Sequence, residues 1–264
     1  MSFPADFHAR QIGSTALAAL RARGPAKVFA AFARSCYVET RAGIACIGGP
    51  AIGRGPLNVI VENAGPMPNV GGIVKISTEL AETWIPPAMP RLDRPPRFLT
   101  SALAKEWSAN LSAQAFLDWL AHGARAPAAR AANALIGLGP GLTPAGDDFV
   151  GGALIALRAA GHAALADRVA AWALALAEEG TGKISRAHLR CAAAGEGHEA
   201  LHALLGNLGK QRPAIERSLA ALSRIGHSSG LDAAAGALLA LDLLWPYFLI
   251  STTVPLPLTS PELE

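Results

Sequence analysis

The residues best suited to chemistry are two adjacent aspartates that end a glycine-rich segment. Residues 136–152 read IGLGPGLTPAGDDFVGG, and Asp147 and Asp148 lead directly into an apolar stretch typical of a helix. Glycines permit positive φ and close backbone approach, while prolines fix the intervening turns, so the loop is expected to be contorted and rigid. Free N–H groups at the start of the following helix favour an anion. The segment therefore predicts a cradle for a small anionic substrate.

The two aspartates have more than one interpretation. A Walker loop ends in Gly-Lys-Ser/Thr, so this segment does not predict a P-loop NTPase. Two carboxylates beside a bound anion need a compensating partner, which would be Mg²⁺, a Lys or Arg side chain, or N–H groups of the substrate. Alternatively, one aspartate caps the helix from Phe149. We predict catalytic roles for Asp147 and Asp148, with Mg²⁺ as an optional cofactor held by them. The predicted substrate-binding residues of this loop are Gly139, Gly141, Leu142, Thr143 and Gly146.

Two later segments have a similar character. Residues 226–230 (GHSSG) precede the last long helix, and such small residues form either an anion nest or a simple Ser229 N-cap. His227 is the candidate general acid or base near the loops. Residues 181–188 (TGKISRAH) place cations at another helix start, where they would neutralise a carboxylate or phosphate, or decorate a surface turn. The predicted binding residues of these segments are Lys183, Ser185, Arg186, Ser228, Ser229 and Gly230.

A third pattern, HEALH at residues 198–202, matches the HExxH sequence of zinc proteases. No GxxH follows it, so the third ligand of one such class is missing. Gly195 and Gly197 directly before the pattern indicate a frayed helix start and not a rigid ligand pair. We interpret it as a solvated helix face without catalytic zinc.

Composition excludes several classes of protein. The net charge is only +3, and no basic run alternates with aromatic residues, which argues against nucleic-acid binding. Three cysteines without CxxC spacing suggest reduced thiols and a cytoplasmic location. The N-terminus has no apolar core of a secretory signal. Residues 231–250 approach the length of a membrane span, but Asp232, Asp242 and Pro246 interrupt them, so a buried helix is predicted.

The element pattern predicts an α+β protein. Short β-prone runs between residues 27 and 77, separated by Gly and Pro, indicate an N-terminal antiparallel sheet or small barrel, with a hairpin at Ala42-Gly43. A short helix over residues 12–22 precedes them. The proline-rich stretch 85–96 predicts a linker, which gives a β-rich domain over residues 1–96 and a helical domain over 97–264. Nine helices are predicted after the linker, the last over residues 231–244, followed by an irregular tail.

The three motifs resemble, in the same order, the family of the AllH-type subunit of oxamate carbamoyltransferase. They are GLGPGLTPAGDDFVGG, TGKIS with Leu189 and Gly195, and IGHSSGLDAAAGALLAL. The family loop typically reads GPGLTPSGDD, so Ala145 replaces a serine and a possible hydroxyl contact is lost. The resemblance implies a part in anaerobic allantoin breakdown, in which oxalurate and phosphate give oxamate and carbamoyl phosphate in a reaction assigned to several subunits together.

The resemblance also implies the ligands and partners. The substrate would be a small anion, namely oxalurate, oxamate, carbamoyl phosphate or phosphate, and the ureido N–H groups of oxalurate would suit Asp147 and Asp148. Partner enzyme subunits are expected. Two alternatives stay open: a non-catalytic binding or scaffolding subunit, and a magnesium-dependent enzyme that acts on another small carboxylate or phosphate.

Overall fold

The computed structural model describes residues 5–22, 24–62, 65–89, 92–124 and 130–251. The predicted irregular tail after residue 251 lies outside the described residues, as does the first part of the helix predicted over residues 127–136. The predicted α+β class is confirmed, because strands occupy the N-terminal part of the chain and helices follow.

Seven strands form the N-terminal sheet, and six of them close into a barrel in the order β5-β4-β3-β2-β6-β1. Closure comes from β1, which pairs with β6 on one edge and with β5 on the other. The predicted strands and the predicted β3–β4 hairpin are confirmed. Pairing is mixed, since β1–β6, β1–β7 and β4–β5 are parallel. The strands are β1 (Ala5–Gly13), β2 (Ala26–Ala31), β3 (Ser35–Thr40), β4 (Gly43–Gly48), β5 (Asn58–Val61), β6 (Ile73–Ser77) and β7 (Glu82–Trp84).

Helix α1 (Ser14–Arg21) follows β1 directly, so the helix predicted from residue 12 begins two residues later. Nine described helices come after the strands, and each corresponds to a predicted helix within a few residues. They are α2 (Arg97–Trp107), α3 (Leu111–Ala121), α4 (Arg130–Asn133), α5 (Ala145–Ala159), α6 (Ala163–Gly180), α7 (Lys183–Ala193), α8 (Glu199–Gly206), α9 (Arg212–Leu222) and α10 (Ser229–Ser251).

Helices α5 and α10 form the centre of the helical core. Eleven of the fifteen residues of α5 are buried, including Phe149, whose ring lies 4.4 Å from that of Trp107. The two helices approach closely through glycines. A Cβ on Gly152 would lie 1.9 Å from the carbonyl oxygen of Ala233, and one on Gly236 would lie 1.8 Å from that of Phe149. Backbone cannot give way as a flexible side chain can, so only glycine fits at both positions.

The barrel and the helices contact each other through polar and apolar groups. Ser14 donates a 2.7 Å hydrogen bond to Glu196, and Arg54 pairs with Glu199 at 2.6 Å. A small buried cluster combines Ile44 and Leu57 of the barrel with Ile184 and Cys191 of α7. The predicted division at residue 96 stays a prediction.

All three cysteines are buried and reduced. Cys36 and Cys46 lie in neighbouring strands of the barrel, and Cys191 lies in α7. Burial raises the pKa of Cys36 to about 11, that of Cys46 to about 12 and that of Cys191 to about 11. Among the described residues, no helix has the length and apolar character needed to cross a membrane.

Candidate functional site

The first glycine loop folds so that both aspartates lie in the first turn of α5. Pro144 is the N-cap residue, and its carbonyl accepts the N–H groups of Asp147 and Asp148 at 2.9 and 3.1 Å. Neither aspartate therefore caps the helix, which begins at Ala145, before both of them. Gly139 and Gly141 have φ of 107° and 101°, and both are exposed together with Leu142. The loop thus presents glycine backbone at the surface while its end is buried.

Asp147 is fully engaged inside the protein. Its Oδ1 accepts the Gly137 N–H at 2.7 Å, and its Oδ2 accepts the hydroxyl groups of Thr181 and of Ser185, the latter at 2.6 Å. The residue is only 2% exposed. These bonds tie the start of the glycine loop to the α6–α7 turn and to α7. The structure therefore gives Asp147 a bracing position, and its predicted catalytic role stays a prediction.

Asp148 differs from its neighbour, because its Oδ2 is buried without a hydrogen-bond partner among the described residues. Burial raises the pKa of its carboxyl well above the ordinary value, although hydrogen bonds from Ser229 and Thr143 lower it and the charges of Asp232 and Asp147 raise it. Those two hydroxyl groups lie 2.9 Å apart and connect the two glycine loops. A carboxyl group with an open oxygen, next to two hydroxyls, is suited to receive an N–H donor.

Asp232 occupies the corresponding place at the start of α10. It is 7% exposed, and its Oδ2 also has no hydrogen-bond partner within the described part of the chain. Burial raises its pKa, which hydrogen bonds from Ser228 and Trp107 lower and the charge of Glu106 raises. In the sequence, Asp232 was noted only as a charge that interrupts the apolar stretch 231–250, and no role in the site was predicted for it.

The two helix starts share the spacing Gly-x-Asp-x₃-Gly. It comprises Gly146, Asp148 and Gly152 in α5, and Gly230, Asp232 and Gly236 in α10. The first glycine of each set is also a packing position: a Cβ on Gly146 would lie 1.9 Å from the Leu135 carbonyl oxygen, and one on Gly230 would lie 2.1 Å from that of Leu222. The last glycine of each set contacts the residue that follows the aspartate of the other. The structure thus brings the two predicted loops together through reciprocal contacts.

The remaining predicted site residues lie either on the exposed second loop or at the start of α7. His227 and Ser228 are exposed on the second loop. Lys183 pairs with Glu39 of the barrel at 2.7 Å, and Arg186 donates to the carbonyl of Glu178. Ser185 donates to Asp147, as described above. The three residues of the α7 start are therefore engaged with protein groups.

The barrel supplies residues that sequence reasoning missed. Tyr37 of β3 has its hydroxyl 3.4 Å from His188 Nε2. Burial raises the Tyr37 pKa, Cys46 raises it further, and the charge of Asp148 contributes after that. Burial also lowers the pKa of His188 to about 4, so this ring is neutral near pH 7. No sequence signal connects Tyr37 with α7, because the two are about 150 residues apart.

The side chains of the HExxH pattern are hydrogen-bonded to other groups of the protein. His198 is the N-cap residue of α8: its Nδ1 accepts the Ala200 N–H, and its Nε2 lies 3.1 Å from the Ile52 carbonyl. Glu199 binds Arg54, and His202 accepts the Gly197 N–H through Nε2. His202 is 4% exposed, so the predicted solvated face is wrong for this residue.

The residues present do not fit a magnesium ion between Asp147 and Asp148. Mg²⁺ prefers ionised oxygen ligands in near-octahedral geometry. Both oxygens of Asp147 already accept N–H and O–H donors. Within the described residues, no three His, Cys, Asp or Glu side chains are grouped as a metal ion would need.

The fold and the site define an α+β protein whose two glycine loops meet at the starts of its central helices. A model of the family described as oxamate carbamoyltransferase subunit AllH matches residues 135–241. The match confirms the predicted resemblance, covers less than half of the chain, and contains both loops and helices α5 to α9 with most of α10. No curated protein and no solved structure matches the chain.

Proposed function

We propose that this chain is a subunit of an oxamate carbamoyltransferase-like enzyme and binds a small anion with N–H groups, oxalurate above all, where its glycine loops meet. The observation that carries the proposal is the buried Oδ2 of Asp148 without a partner among the described residues. An unpaired buried polar group costs roughly 1–3 kcal/mol, so a donor supplied by a ligand would recover that loss. The ureido group of oxalurate has such donors.

The surroundings of Asp148 suit a ligand that is both an anion and a donor. A carboxyl with a raised pKa is neutral over part of the pH range and then does not repel a neighbouring carboxylate. The exposed backbone of Gly139 and Gly141 and the positive ends of α5 and α10 favour the anionic part. The hydroxyls of Thr143 and Ser229 would orient the ligand between the loops.

The remaining predicted residues take different parts in this proposal. Asp147 holds the loop in place through Gly137 and Ser185, and so positions Asp148 without touching the ligand. His227, exposed at the rim, is the candidate proton donor or acceptor. Transfer of the carbamoyl group to phosphate would then depend mainly on positioning and electrostatic stabilisation. A cytoplasmic location agrees with this proposal.

A thermal-shift series on the purified chain tests the proposal, with oxalurate, oxamate, carbamoyl phosphate and phosphate as probes, each with and without Mg²⁺. We expect a saturable rise in melting temperature with oxalurate that Asp148→Ala abolishes, because alanine removes the acceptor oxygen. Asp118→Ala is the matched control, because Asp118 is an exposed aspartate of α3. Equal shifts in both variants would remove Asp148 from the site, and no shift with any probe would contradict binding by this chain.

A second candidate function is a non-catalytic binding subunit. The observation in its favour is that Lys183 is paired with Glu39 and Arg186 donates to the backbone carbonyl of Glu178, so a cation from a partner subunit would help to neutralise the substrate. Turnover assays separate the two candidates. Conversion of oxalurate and phosphate by the isolated chain would support the enzyme. Binding without turnover, restored to turnover only with partner subunits, would support the second function.

A further inference from the structure

A pocket of about 460 Å³ lies between the barrel and the helices, apart from the glycine-loop site. It falls within the usual size range of small-molecule sites. The barrel contributes Pro50, Arg54 and Trp84, and the helical part contributes the start of α8 and the end of α9. We propose that this pocket binds a small molecule that joins a carboxylate or phosphate to a planar ring.

The charges in the pocket favour an anion. Glu199 binds Arg54 at its backbone N–H and at Nε, which fixes the guanidinium while its two terminal nitrogens make no hydrogen bond to the described residues. Arg224 also lines the pocket, and its guanidinium has no ion pair with any residue that the structure describes. Two guanidinium groups against one carboxylate leave a net positive pocket. Arginine is well suited to hold carboxylate or phosphate through paired hydrogen bonds.

The planar part of the ligand is inferred from the walls. Trp84 and the His198 ring line the pocket beside Pro50, Pro87 and Ile225. Nδ1 of His198 accepts a backbone N–H, so its proton is on Nε2, which donates to the Ile52 carbonyl. The imidazole therefore offers only its face and edge to a ligand. Aromatic rings and proline surfaces pack well against flat apolar groups.

A neighbouring pocket of about 450 Å³ is less suited to the negative group of the proposed ligand than the pocket that Arg224 lines. Both share Arg54 and Glu199, but the second is also lined by Glu62 and Glu82. Arg10, its other cation, is paired with Glu62. Carboxylates in the walls repel an anion, so its negative group is expected on the Arg224 side.

Isothermal titration of the full chain tests the proposal with four probes: benzoate, phenyl phosphate, neutral benzamide and inorganic phosphate. We expect saturable binding of benzoate or phenyl phosphate, with weaker binding of benzamide and of inorganic phosphate, because each of these lacks one of the two recognised groups. The Arg224→Gln variant is expected to weaken the Kd about tenfold. Arg217→Gln is the matched control, since Arg217 is an exposed arginine of α9, the helix that ends just before Arg224, and lies outside the pocket lining.

Three results would overturn the proposal. They are no saturable binding of either ring anion at millimolar concentration, equal binding of benzamide and benzoate, and equal weakening by the two arginine substitutions. The proposal is independent of the oxalurate site. Arg224→Gln should leave the thermal shift with oxalurate unchanged, and Asp148→Ala should leave benzoate binding unchanged, so failure of one site is distinguishable from failure of the other.

Discussion

The two glycine loops share one framework and differ in what surrounds it. Each loop leads into the first turn of a central helix, where an aspartate has a buried Oδ2 without a hydrogen-bond partner among the described residues. Each helix also has a glycine four residues after that aspartate, at which the two helices come into close contact. Only the first loop has a second aspartate, Asp147, where the second has Leu231. The first also has an exposed run from Gly139 to Leu142. The residues that both loops have therefore form the contact between α5 and α10. The residues that only the first loop has make the two loops different.

The largest expected effect on stability comes from substitutions at the glycines where α5 and α10 are in contact. Gly152→Ala or Gly236→Ala would push a Cβ against a backbone carbonyl at under 2 Å, so we expect a loss of about 3 kcal/mol or more in the free energy of unfolding. Gly151→Ala is the control, because its Cβ would meet Ala192 at an ordinary 3.6 Å. Urea unfolding followed by circular dichroism measures all three. Similar losses at positions 151 and 152 would contradict the close approach.

The next largest effect on stability is expected at Asp147, the aspartate that only the first loop has. Asp147→Ala would leave the Gly137 N–H and the hydroxyls of Thr181 and Ser185 without their acceptor, which we expect to cost about 3 kcal/mol. Leu231→Ala, at the equivalent position, removes only a partly buried apolar side chain and should cost about 1 kcal/mol. The same unfolding measurement compares them, and equal costs would mean that Asp147 does not brace the loop.

A smaller effect follows from the raised pKa of Asp148. The folded state keeps this carboxyl protonated over a pH range in which the unfolded chain has already lost the proton, so stability falls as the pH rises through that range. Asp148→Asn removes this loss. The variant should therefore gain stability relative to the native chain at pH 8, and the gain should vanish below the ordinary value of 3.8.

Asp232→Asn sharpens this comparison, because burial raises the Asp232 pKa as well. Its gain at pH 8 should have the same sign. Thermal melts from pH 3 to pH 8 give both differences. A gain that is constant with pH would show that neither carboxyl has a raised pKa.

The smallest effect tests the link between the loops. Thr143→Val and Ser229→Ala each remove one partner of the 2.9 Å hydrogen bond, and a double-mutant cycle should give a coupling of about 1 kcal/mol. The same substitutions remove hydrogen bonds that lower the Asp148 pKa, so its titration should move further upwards. A coupling of zero would mean that the two loops do not interact through these hydroxyls.

Local patterns in the sequence predicted most of the fold. Short runs that contain β-branched and aromatic residues and are separated by glycine and proline predicted β2 to β6, since such residues favour strands. Strand β1 was missed because its sequence, ADFHARQIG, mixes polar and small residues and gains its order from β5 and β6. Helix α10 continues beyond the predicted end at residue 244 through Pro246, a residue that commonly ends helices.

The site was less accessible to sequence reasoning than the fold. The glycine pattern predicted the first loop and the aspartate pair at its end. Nothing in the local sequence, however, predicts that Asp147 and Asp148 have different hydrogen-bond partners. That difference comes from Thr181 and Ser185, more than thirty residues away, which donate to Asp147, whereas Oδ2 of Asp148 has no hydrogen-bond partner among the described residues. Tyr37 joins the surroundings through the barrel in the same way. Contacts between distant segments therefore decide which residue of a motif is engaged within the protein.

The buried thiols make the chain easy to label at a chosen place. Maleimides and similar reagents attack the thiolate, and pKa values of about 11 to 12 leave almost none of it near neutral pH. A cysteine introduced at Leu142, which is 44% exposed on the first loop, would react far faster than the three native ones. A fluorophore attached there would report movement of the loop without removal of any native cysteine.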